Sequence, residues 1–274
     1  MLTTIRGRAR GVTLIELLVV LMILSIVLTA AVRTWDVTLE RGRAQTTSRK
    51  LDQLVTAIGG DPDYIVAGQR ADFGFVGDMG RLPNNLRELV VSPSGATLWR
   101  GPYLRSTFNE SYDAFRIDGW GDTIIYGYEA YGNNHDSLFV RSYGGRGFAD
   151  KTRWQTVSLP YSYDALMTNQ IDGNIVDVRG NAPTDPAAIS WLKVILVKSY
   201  EGNPDSSVFY TGTQAVNFKF PNIAQGTYRL VAYWVRSDTT PYETLKTMQD
   251  VPVYPGVGAH SVMMRLPLDW DHLP

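Results

Sequence analysis

One carboxylate, Glu16, interrupts the apolar run Val12 to Val32, where the other polar residues are Thr13, Ser25 and Thr29. An acid in hydrocarbon costs on the order of 2.5–3.5 kcal/mol at mid-membrane and less near the interface, so such a residue is expected to have a partner. The chain offers few other groups with obvious chemistry. Its three histidines, His135, His260 and His272, are far apart and show no H-x-x-x-H spacing. No G-x-S-x-G elbow, Walker loop or dinucleotide-binding glycine fingerprint is present. Asp269 and Asp271 flank Trp270 close to the last residue, where a frayed tail is expected rather than a hydrolytic pair. No catalytic constellation emerges, and the chain reads as a non-enzyme.

The element that carries Glu16 is a membrane helix. Twenty-one residues at about 1.5 Å each span roughly 31 Å, close to a bilayer core. Arg6, Arg8 and Arg10 precede the run with no acid among residues 1–11. That asymmetry keeps the N-terminus cytoplasmic and sends the rest of the chain across. Three readings fit. A secretory signal peptide has this basic start, and Thr29, Ala30 and Ala31 supply small residues for cleavage. A plain anchor fits equally. Neither explains Glu16.

The third reading rests on the stretch RGRARG-VTLIELLVVLMILSIV, residues 6–27. It closely resembles the signal of type IV prepilins and pseudopilins. The resemblance implies that a membrane prepilin peptidase cuts after Gly11 and methylates Val12, and that the helix is kept. It further implies that Glu16 meets the terminal amine of a neighbouring subunit. An ammonium and a carboxylate attract strongly in low dielectric and relieve each other's desolvation. Val12 stands where the family most often has phenylalanine.

Downstream, Leu51, Leu54, Val55 and Ile58 follow i, i+3, i+4, i+7 spacing, so the helix continues and packs on a sheet. Gly42, in the polar stretch 40–50, is a point where it could bend, since glycine weakens a helix by about 1 kcal/mol. Gly59-Gly60-Asp61-Pro62 ends it. Residues 74–89 read as a loop and a short helix capped by Asn84 or Asn85. TIIYGY and SLFV alternate as antiparallel strands.

The run WRGPYL (99–104) followed by D-G-W-G-D (118–122) is similar to the major pseudopilin of type II secretion. In that family a glycine-rich loop binds calcium, which implies Asp118, Asp122, Asp136 and Asp150 as weak candidates here. Calcium takes six to eight oxygen ligands, whereas this loop, 140–147, carries Arg141 and Arg146.

Beyond residue 170, candidate strands at 174–180, 191–200, 216–220, 227–235, 249–256 and 260–267 alternate with turn residues, including Gly202-Asn203-Pro204-Asp205. The pattern reads as a β-sandwich. The order resembles the transthyretin-like (carboxypeptidase regulatory-like) sandwich, which implies a hairpin between the Phe218-x-Phe220 strand and the Tyr228-x-Leu230 strand. Tyr228, Tyr233 and Trp234 are candidates for a binding face, set against a core role.

The expected organisation is a leader (1–11), a transmembrane and filament-core helix (12–59), a pseudopilin-like head (60–165) and an accessory sandwich (170–274). The fold class is α+β, a pilin fold followed by an all-β domain. The function is a structural subunit of a type II secretion pseudopilus or type IV pilus-like filament, or alternatively a minor or tip subunit whose sandwich binds. Implied partners are the prepilin peptidase, other pilin or pseudopilin subunits and the inner-membrane assembly platform. The chain would sit in the inner membrane by one helix, with its head in the periplasm or on an extracellular filament. Net charge is −1, and loss of residues 1–11 leaves 23 bases against 27 acids, a net of −4. That balance gives no reason to expect nucleic acid. There are no cysteines, so the folded part must be held by its core alone.

Overall fold

The computed structural model describes residues 13–104, 113–131, 134–184, 191–210, 217–236 and 243–272. Helix α1 runs from Leu14 to Gly59 without a break. Gly42 does not bend it: a side chain there would touch nothing within 4 Å, so no close approach demands a glycine. Each hydrogen bond in a formed helix fixes only one more residue, and propagation carries through one weak position. The chain divides into two compact units, one ending at Thr46 and one starting at Thr47.

Within the second unit the last turns of α1 bury Leu51, Leu54, Val55, Ala57 and Ile58, on the spacing read from the sequence. The helix stops because Gly60 adopts φ +78°, and a Cβ there would lie 2.5 Å from the Asp72 carbonyl. A helix C-terminus leaves carbonyls without intrahelical partners. Here the Gly59 carbonyl accepts from Arg70 Nη2 at 2.7 Å and from Gln225 Nε2 at 2.8 Å.

The head follows. β1 (Ile65–Val66) and β2 (Gln69–Arg70) form a minimal hairpin, and α2 (Gly74–Met79) comes next. Asn85 caps a short 3₁₀ turn, Leu86–Leu89, by accepting from the Arg87 amide. β3 (Ile125–Tyr131), β4 (Asn134–Ser142) and β5 (Gln155–Ser158) make an antiparallel sheet in that order. α3 (Tyr163–Met167) closes the head. Its core joins Leu51, Leu54 and Ile58 to Phe75, Met79, Leu138, Val140 and Leu166.

The sandwich uses β6 (Asn169–Val176), β7 (Leu192–Tyr200), β8 (Asn203–Tyr210), β9 (Asn217–Ile223), β10 (Gly226–Arg236), β11 (Glu243–Val253) and β12 (Ala259–Arg265). One sheet has the order β8-β7-β10-β11 and the other β12-β6-β9, with β12 and β6 parallel. Between them lie Ile171, Ile175, Leu192, Leu196, Phe218, Leu230, Trp234 and Met264. This is the α+β arrangement expected: a long apolar helix, antiparallel sheets and a β-rich C-terminal part.

Three details differ from expectation, and the choice left open for Tyr228 and Trp234 falls to the core role. The turn at 202–205 sits two residues earlier: Glu201 and Gly202 have φ 51° and 78°, the type I′ geometry that suits a two-residue hairpin, and residues 203–205 belong to β8. The Phe218 and Tyr228 strands do not form a hairpin, because β9 pairs with β6 while β10 pairs with β7 and β11. Ala224 and Gln225 carry the chain from one sheet to the other, and buried Gln225 also donates to the Phe73 carbonyl at 3.1 Å. Tyr228 and Trp234 are core residues, each 4% exposed, because the inward phase of β10 is Tyr228, Leu230, Ala232, Trp234. Tyr233 lies on the opposite face with the Lys193 ammonium 5.1 Å from its ring. Finally, Trp270 is docked: it sits in a 3₁₀ turn, its Nε1 donates to the Asn181 carbonyl at 2.9 Å, and Arg179 pairs with Asp269 at 2.8 Å.

At the β12 bulge, Ser261 has φ +57° and its amide donates to Asp172. The same carboxylate receives Gln170 Nε2 at 2.6 Å and meets His260 Nδ1 at 2.5 Å. This hydrogen bond, with the charge of Asp172, raises the His260 pKa. Burial of Asp172 works the other way, yet bonds from His260, Gln170 and Ser261 hold its carboxyl below the usual range.

Two outcomes follow from these anchors. Gln225→Leu removes one of the two partners of each of two buried carbonyls and should lower stability by about 1 kcal/mol in denaturant unfolding of the full chain. In NMR titration, His260 should titrate above about 6.5, and Asp172→Asn should return it to the ordinary value. The His260 contribution is present below its unfolded-state pKa and is lost as pH rises through the raised value.

Candidate functional site

Gly11 and Val12 lie outside the described residues, so the site begins at Thr13. Thr13 and Glu16 form a reciprocal cap. The Thr13 hydroxyl oxygen accepts from the Glu16 amide at 3.3 Å, and Glu16 Oε2 accepts from the Thr13 amide at 3.2 Å and the Thr13 hydroxyl at 3.3 Å. This is a capping box, and the T-x-x-E spacing that announces it stands in the sequence. It gives Glu16 a local partner and an additional role: it anchors the first turn of its own helix.

Behind this cap every residue from 13 to 39 is exposed. Helix α1 is long and apolar enough to cross a membrane. Its hydroxyls are satisfied within the helix. Ser25, Thr29, Thr34 and Thr38 each donate to the carbonyl four residues earlier, at 2.8–2.9 Å. Hydrocarbon offers no water to a polar group, so this self-satisfaction lets the stem keep four hydroxyls at low cost.

The aspartates singled out as calcium candidates do different things. Asp118 is buried, and both its oxygens are engaged. Oδ1 accepts from the Trp120 and Asp122 amides, each at 2.9 Å, and Oδ2 from the Ser142 hydroxyl at 2.5 Å. Asp122 is exposed. Asp150 caps a 3₁₀ turn by accepting from Thr152, whose hydroxyl and amide hold its carboxyl below the usual range. The side chain of Asp136 lies outside the described residues, as do those of His135 and His272. Among the described residues no three carboxylates or histidines gather as a metal-ligating group.

Sequence reasoning missed what ties this motif to α1. The Lys50 ammonium donates to the carbonyls of Ala114 at 2.9 Å and Ile117 at 3.1 Å. Three residues earlier, the hydroxyl of buried Thr47 accepts from the Gly119 amide at 2.9 Å. Residues 47 and 50 share a helix face, which is the only local signal for this clamp.

Residues 6–32 match the family described as the prokaryotic N-terminal methylation motif. Over 142 residues, 52% of this chain and 85% of the relative, the sequence is 27% identical to a type II secretion system core protein G of Xanthomonas campestris pv. campestris. No solved structure matches the chain.

Proposed function

We propose that the chain is a prepilin- or pseudopilin-like protein that serves as a structural subunit of a type II secretion pseudopilus or a type IV pilus-like filament. The observation that carries the reading is the stem: exposed apolar side chains along residues 14–39, on a helix whose Ser25, Thr29, Thr34 and Thr38 hydroxyls bond back to its own carbonyls. Burying one such Leu, Ile or Val yields about 1.5–3 kcal/mol in water. Lipid supplies that burial before assembly, and packing against other copies supplies it afterwards.

In this reading the prepilin peptidase removes residues 1–11 at the cytoplasmic face and methylates Val12. The new amine then meets Glu16 of a neighbouring subunit, which sets the axial register. The inner-membrane platform extracts the subunit, and the globular part travels in the periplasm. The family consists of structural subunits, and the proposed role involves no bond-making by this chain.

A second reading, a minor or tip subunit, is favoured by one feature. A cleft of about 840 Å³ opens where the head meets the sandwich, lined by Arg70, Asp78, Arg100, Tyr103, Arg229 and Asp250 among others. Copy number in purified filaments separates the readings: many copies per filament for the repeated subunit, one or a few for a tip.

Mass spectrometry of the mature chain should find N-methylated Val12 at its start; a start near Val32 would mean ordinary signal removal. Glu16→Ala should leave membrane insertion intact and reduce filament yield at least tenfold, as loss of a charge pair in low dielectric predicts. Thr13→Val removes the hydroxyl of the cap but keeps the carboxylate, so it should retain filaments. Equal loss in both variants would assign Glu16 to capping alone.

A further inference from the structure

The glycine loop between Ser142 and Gln155 is closed by side chains of its own. The Arg141 guanidinium lies 4.3 Å from the Phe139 ring and 4.6 Å from the Trp154 ring, and its Nε donates to Thr156. The Lys151 ammonium is 5.6 Å from the Trp154 ring. Trp154 packs against Tyr143 and Phe148, each with ring centroids 5.2 Å away, and those two meet edge-on at 5.8 Å. A cation over an aromatic face is attracted by the ring quadrupole, most strongly at tryptophan. At the loop entrance the Ser142 hydroxyl donates to Asp118 and accepts from the Gly144 amide. A Cβ on Gly145 would lie 2.7 Å from the Trp120 side chain, so only glycine fits there.

Two of the candidate carboxylates are therefore engaged within the protein. Asp118 has both oxygens bonded within the protein, and Asp150 is engaged by Thr152 with Arg146 and Arg153 among its neighbouring charges. The Ala114 and Ile117 carbonyls, also of the kind that ligate calcium, hold the Lys50 ammonium instead. The described residues do not fit the calcium site implied by resemblance to the major pseudopilin.

We propose that this head is held by covalently attached cations in place of a metal: Lys50 clamps the 114–117 turn to α1, and Arg141 with Lys151 locks the 142–155 loop onto Trp154. The fold of the head is then independent of calcium. The inference stands apart from the filament reading, because its test needs only the folded chain.

The full chain in detergent micelles is melted while tryptophan fluorescence is followed, in chelator and in millimolar calcium chloride. The two midpoints should coincide, and calorimetric titration with calcium should give no saturable heat. A calcium-induced rise of about 5 °C or more, as expected for a site well above saturation, or saturable binding near one ion per chain, would overturn the proposal. Lys50→Met and Arg141→Gln should each lower the midpoint in chelator by about 2–8 °C, with no recovery on adding calcium. If neither variant lowers the midpoint, or calcium restores what either has lost, the cation lock is wrong.

Discussion

An apolar helix that its own chain does not cover sets the terms for everything else in this protein. Residues 14–39 present Leu, Ile, Val and Met side chains at roughly half or more of full exposure in nearly every case. In water that surface would drive aggregation. Such a stem suits lipid, which forbids an unsatisfied polar group. The back-bonded hydroxyls of Ser25, Thr29, Thr34 and Thr38 meet that demand, and so does the reciprocal bonding of Thr13 and Glu16. Glu16 is held by its own helix cap, so its carboxylate does not stand bare at the start of the stem.

The other end of α1 faces the opposite problem, a helix terminus inside a protein. Arg70 from the head and Gln225 from the sandwich converge on one carbonyl, that of Gly59. Further bonds join the two parts: the Gly202 amide to the Met79 carbonyl at 2.9 Å, the Leu98 amide to the Gly202 carbonyl at 2.7 Å, and the Gln225 amide to the Leu166 carbonyl at 2.7 Å. Ala224 of the sandwich connection belongs to the head core. The sandwich is thus fastened by buried backbone groups, which are expensive to expose.

Much of this was legible in the sequence, and the limits have physical causes. The apolar run, the Gly59-Gly60 stop and the face Leu51, Leu54, Val55, Ile58 follow from spacing alone, because helical periodicity is a local property. Strand alternation located β7, β10 and β12 for the same reason. It could not say which strands pair: period two reports the buried face, not the neighbour across the ladder. The expected hairpin between Phe218 and Tyr228 failed there, since two buried residues, Ala224 and Gln225, turn the chain between sheets. β8 was hidden because Asn203, Pro204 and Asp205 are turn formers, held here in an edge strand where proline needs no ladder partner. Trp270 looked like part of a loose tail because its partner, the Asn181 carbonyl, is remote in sequence.

The candidate metal site shows the same limit in chemical form. Counting aspartates registers charge, but a carboxylate has only a few lone-pair sites, and the fold decides what fills them. Asp118 spends its own on two amides and a hydroxyl, the common work of an aspartate at a turn. The arginines of the loop carried the better signal. A positive charge beside a glycine loop is unfavourable for a bound cation and favourable for a tryptophan face, and Trp154 stands twelve residues after Ser142 to receive it. Fixed cations need no ion from solution. Under the proposed role, such a lock makes the head's rigidity a property of its sequence rather than of the ions outside.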